Sequence, residues 1–153
     1  MRSWRILAIV CGLCLGITQT PYSVVQGSQA VSLTEISEPI TPEARKEYDD
    51  IISRFASDIP NESIKFREDL NNVIFIRLED ERFCVMKSCV TIVTTKCGHA
   101  ACQYAPVLAP PRYTVVGIGT KFWGNLIEFP ATQSNNVNTV ILNDRFIAAY
   151  HAL

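Results

Sequence analysis

Histidine is almost missing from this chain: of 153 residues only His99 and His151 carry an imidazole. General acid–base and metal chemistry lean heavily on that side chain. An enzyme here would have to build its site around one of these two or without either. An excess of basic charge is also lacking, since 14 Lys and Arg face 15 Asp and Glu. That balance gives no electrostatic reason to expect nucleic acid or an anionic membrane as partner. No G-x-S-x-G elbow is present, and Gly117-Ile118-Gly119-Thr120 is a G-x-G with no helical pattern after it. It reads as a turn closing a strand. There is no internal repeat and no low-complexity tract. With 48% apolar residues the chain can fill one core, and its length suits one domain better than two.

Long apolar runs are lacking too, with one short exception. Arg2 and Arg5 precede a nearly unbroken apolar stretch from Ile6 to Ile17, which Gln19, Thr20 and Pro21 end. Twelve residues rise about 18 Å as a helix, short of the ~30 Å hydrocarbon core. Basic start, short apolar middle and polar exit are the pattern of a signal peptide. Ser28-Gln29-Ala30 offers a small-x-small cleavage site, which places the leader at 1–30 and the mature start at Val31. The expected destination is extracytoplasmic, periplasmic or secreted, with no membrane attachment after cleavage. Cys11 and Cys14 form a C-x-x-C but lie inside this stretch and leave with it. Val10 and Leu13, which precede them, are too large for a lipoprotein site. Without Arg2 and Arg5 the remaining chain carries a net charge of −3.

Residues 31–40 show no period and are expected to be a flexible tether, leaving 41–153 as a single domain. Thr41-Pro42-Glu43 is a helix start, with a hydroxyl N-cap, proline in the first turn and an acid beside it. Ala44, Tyr48, Ile51, Ile52 and Phe55 then share one helical face, so a helix is expected over 42–57. Residues 61–72 fit a short helix or a strand. Beyond them, branched and aromatic residues predict strands at 73–78, 90–95, 103–109, 113–118, 126–129, 139–142 and 145–150, with Asn143-Asp144 as a tight turn. Short connections favour an antiparallel meander. The expected fold is α+β: a meander sheet of about five to seven strands, one amphipathic helix packed on a face, and two local disulfides.

Four cysteines follow the leader: Cys84, Cys89, Cys97 and Cys102. A strand over 89–97 would separate its ends by roughly 26 Å at ~3.3 Å per residue, far beyond disulfide reach. The expected pairs are therefore Cys84–Cys89 and Cys97–Cys102, fixing the turns 85–88 and 98–101. A zinc site from the four thiolates with His99 is the competing reading, but structural zinc sites use tighter cysteine spacings. A redox-active pair normally stands two residues apart at a helix start, unlike either pair here. His99 beside Cys97 suggests a Cys–His nucleophile, which needs a free thiolate that the bridge would remove. His151 stands near the chain end.

The acidic neighbours Asp49/Asp50, Glu68/Asp69 and Glu79-Asp80-Glu81 are of a kind that points to solvent more often than it converges, and their spacing gives no sign of the two carboxylates that glycosidase chemistry sets across a cleft. Glu128 fits the outward side of a strand. Phe122-Trp123-Gly124-Asn125 can serve as an aromatic binding knob or fold over the core edge. Asn61-Glu62-Ser63 is a glycosylation sequon if the host is eukaryotic. Two functions stay open. One is a non-enzymatic binding or inhibitor-like module, using fixed turns, Phe122, Trp123 and His99 against a protein or envelope partner. The other is a small secreted hydrolase with a scattered site. No catalytic residue, metal or cofactor is assigned.

Overall fold

The computed structural model describes residues 33–69, 72–96, 103–117, 124–132, 139–142 and 147–150. These residues are mostly antiparallel β-sheet. The elements run β1 (Thr34–Glu35), α1 (Pro42–Glu47), α2 (Asp49–Ala56), β2 (Ile64–Asp69), β3 (Val73–Leu78), β4 (Cys84–Val85), β5 (Ser88–Thr95), β6 (Tyr104–Ala109), β7 (Arg112–Gly117), β8 (Asn125–Glu128), β9 (Thr139–Leu142) and β10 (Ile147–Tyr150). They form two five-stranded sheets rather than one meander. The first is β2-β3-β5-β6 with β4 also on β5, and the second is β1-β7-β8-β9-β10. The expected strand total was too low, and among the described residues the expected α+β balance gives way to a mainly β architecture with little helix.

The helix starts where the capping residues put it. Thr41 accepts the Ala44 N–H at 3.2 Å, and Pro42 sits in the first turn. One continuous helix was expected, but the backbone breaks at Tyr48 (φ −105°, ψ 12°). The Tyr48 carbonyl then accepts from both Ile51 and Ile52, which restarts the helix as α2. The break accompanies burial of the Tyr48 ring beside Phe66, with centroids 5.7 Å apart.

Strand β3 explains the layering. All six of its residues are buried, which a sheet with one wet face would not produce. Ile74, Ile76 and Leu78 join Tyr48, Ile51 and Ile52 in a core under the helices. Val73 and Phe75 point the other way and meet Tyr113, Ile127 and Phe129 in a core between the sheets. The order of layers is helix, first sheet, second sheet.

Pro110-Pro111, read in the sequence as a strand end, is also the crossing from the first sheet to the second. Residues 33–40, expected to be a tether, tie the two sheets together. Glu35 pairs with Arg112 in β7, the Ile36 N–H donates to the Pro111 carbonyl, and the Ile40 N–H donates to the Ile64 carbonyl of β2. Ile36 and Ile40 are buried. The expected leader, the expected Cys97–Cys102 pair, His99, Phe122, Trp123, the expected turn at 143–144 and His151 lie outside the described residues.

Candidate functional site

Strands β3 and β4 lie along the same edge of β5, separated by an excursion over residues 79–83. Arg77 pairs with Thr91, then Cys84 resumes against Cys89 and Val85 against Ser88. The excursion holds itself in place. Asp80 caps a single 3₁₀ turn by accepting the Arg82 N–H at 3.0 Å. The Arg82 guanidinium grips Asp80 at 2.8 Å and reaches Asp58, past the end of α2, at 3.0 Å. That guanidinium holds the Asp80 carboxyl below its ordinary range, chiefly through the side-chain hydrogen bond.

The result is a two-residue hairpin whose tip is Met86-Lys87. Cys84 and Cys89 face each other directly across the two strands and form a disulfide, as their spacing predicts. The bridge closes the base of the hairpin and makes those two thiolates unavailable to zinc. Met86 takes φ 56°, the left-handed region a tight hairpin turn demands. A side chain with a Cβ is disfavoured there by roughly 1–2 kcal/mol.

Beneath the hairpin the contacts are polar and buried. Arg77 lies on the inter-sheet side of β3 and is only 2% exposed. Its guanidinium donates to the carbonyls of Lys87 (3.0 Å) and Ala109 (2.6 Å) and to Thr91 Oγ1 (3.4 Å), while Nε meets Glu79 at 3.0 Å. Burial pulls the Arg77 pKa down, and Glu79 opposes that pull. Ser88 is also fully buried and shares a hydrogen bond with Thr132 at 3.2 Å.

Above this support Val85 and Met86 turn apolar surface to solvent beside the exposed Lys87. Val85 is 54% exposed and Met86 78% exposed, two of the three large apolar side chains that stand out among the described residues. The third, Leu33, sits far away in sequence at the start of the described chain. Of the residues singled out from sequence, Cys84 and Cys89 come together, and the turn they enclose is the one expected to be fixed. Cys97, Cys102, His99, Phe122 and Trp123 fall outside the described residues, so their placement relative to the hairpin is not part of the site. Arg77 was missed. Its signal was a lone cation at an inward position of an otherwise apolar strand. Among the described residues, no group of three or more His, Cys, Asp or Glu is placed to hold a metal ion. No protein-family model matches the chain, and neither a curated protein nor a solved structure matches it.

Proposed function

We propose that this chain is an exported, non-enzymatic binding module that engages a protein or envelope partner through the β4–β5 hairpin. The observation that carries the reading is the exposure of Val85 and Met86 on a turn held at both ends. An exposed apolar pair gains free energy when a partner covers it. Clamping by the disulfide and by Arg77 removes entropy that binding would otherwise lose, which is how a preorganised loop gains affinity. The bridge also fits an oxidising compartment, in keeping with the leader-like N-terminus. Phe122, Trp123 and His99 are further candidate contacts in this reading, and Cys97–Cys102 a second clamp.

The test places a photo-crosslinking residue at Lys87 in the exported chain, which leaves Val85 and Met86 intact. Irradiated in its native envelope, the chain is expected to give a discrete adduct that excess unlabelled chain competes away. Adding Val85→Ser and Met86→Ser should lower the adduct at least about tenfold, as loss of two apolar contacts implies, with the melting temperature unchanged. A crosslinking residue at exposed Lys46 on α1 is the control. An adduct indifferent to both serine substitutions, or none at all, would sink the proposal.

A further inference from the structure

We propose that Met86 is an oxidation site at which a peroxide converts the hairpin tip from apolar to polar, reversibly through a reductase. The full chain has two methionines, and Met1 lies in the segment read as a leader. Methionine usually fills core gaps. Here it is 78% exposed and occupies a positive-φ position that its Cβ makes costly. Neither fact favours folding, so the thioether is poorly explained as a structural group. Its exposure lets an oxidant reach sulfur without any opening of the fold. In the reaction the sulfur lone pair attacks a peroxide oxygen, the O–O bond breaks, and the thioether becomes a sulfoxide while water leaves. A reductase with a thiol donor reverses it. The neighbouring sulfurs, Cys84 and Cys89, are already joined and cannot compete as thiolates.

Sulfoxide formation places a strong dipole where the apolar contact was, while the backbone stays held by the disulfide and by the Arg77–Lys87 bond. The effect on partner binding rests on the hairpin reading above. The chemistry does not, and a mass measurement tests it without any partner. The full-length chain is treated with dilute hydrogen peroxide beside N-acetylmethionine amide, and peptide mapping separates Met86 from Met1. Met86 is expected to gain an oxygen at a rate within about threefold of the free amide. The melting temperature should move by less than about 2 °C, and the two epimer-specific methionine sulfoxide reductases, supplied together with dithiothreitol as the thiol donor, should restore the original mass. Met86→Leu should abolish the oxygen gain at that peptide. Oxidation more than about tenfold slower than the amide would mean the sulfur is covered. Melting on oxidation would mean the side chain is structural. Failure of the reductases would mean the change is no switch. Each of these outcomes overturns the proposal; a covered sulfur would also count against the hairpin reading, whereas melting on oxidation or failure of the reductases would leave the crosslinking result standing.

Discussion

Arg77 is a single residue that ties several elements together. A guanidinium taken out of water pays a large desolvation cost, recovered only if its donors are met. Here two backbone carbonyls, a threonine hydroxyl and a carboxylate meet them. Those carbonyls belong to Lys87 at the hairpin tip and Ala109 at the end of β6, so one side chain pins the exposed turn to the first sheet. Arg77→Met keeps the length and removes the donors that the buried Ala109 carbonyl and the Lys87 carbonyl accept from. The expected loss is roughly 2–4 kcal/mol in urea unfolding. Arg77→Lys should fall between, because one ammonium cannot span the same set of acceptors. Glu79→Gln should cost less than about 1 kcal/mol, since Glu79 is a third exposed and partly solvated. An Arg77→Met chain as stable as the parent would mean that those carbonyls find other donors.

Among the elements, the β4–β5 hairpin shows what could be read beforehand and what could not. Cysteines five apart can face each other across a two-residue turn, so the pairing and the fixed loop were legible. The turn type was not. Positive φ is signalled by glycine or asparagine, and Met86-Lys87 contains neither. For that reason no strand was expected at 84–85. Helix caps and the branched runs of β3, β5 and β9 were legible because their signals are local. The division into two sheets was not, because β1 is two residues long and pairs with β7 across about half of the chain. Likewise the burial of Ile36 and Ile40 depends on partners the tether-like composition of 31–40 does not reveal. The unfavourable backbone at Met86 makes a direct prediction. Met86→Gly should raise stability by about 0.5–1 kcal/mol in urea unfolding, because glycine takes positive φ without a Cβ clash. A drop instead would show that the methionine side chain supports the fold, against both its exposure and its proposed chemistry. Cys84→Ser with Cys89→Ser should cost about 2 kcal/mol by the loop-closure estimate.

For the whole molecule, the first sheet is shared by two cores, and each core holds one buried tyrosine. Tyr48 sits under the helices and Tyr113 between the sheets. Burial is the main cause that lifts both pKa values well above the ordinary 10.0. The nearby Glu47 carboxylate adds to it at Tyr48, and at Tyr113 the bond the hydroxyl donates to Asp69 adds to it. The folded phenols therefore keep their protons at pH values where the unfolded chain has lost them. Their contribution to stability is complete below 10.0 and is lost as pH rises from there toward the folded values. Over that window each tyrosine should lower stability by up to roughly 1.4 kcal/mol per pH unit. Tyr48→Phe and Tyr113→Phe should each flatten the alkaline slope, and the double variant should flatten it by the sum. Additivity is the informative part, because the two rings lie on opposite faces of one sheet. If the layers unfold together, either substitution shifts far-ultraviolet and tyrosine signals alike. A Tyr48→Phe effect confined to the helical signal would mean that the helices detach before the sheets separate. An alkaline slope unchanged in the double variant would mean that neither hydroxyl is shielded as the packing requires.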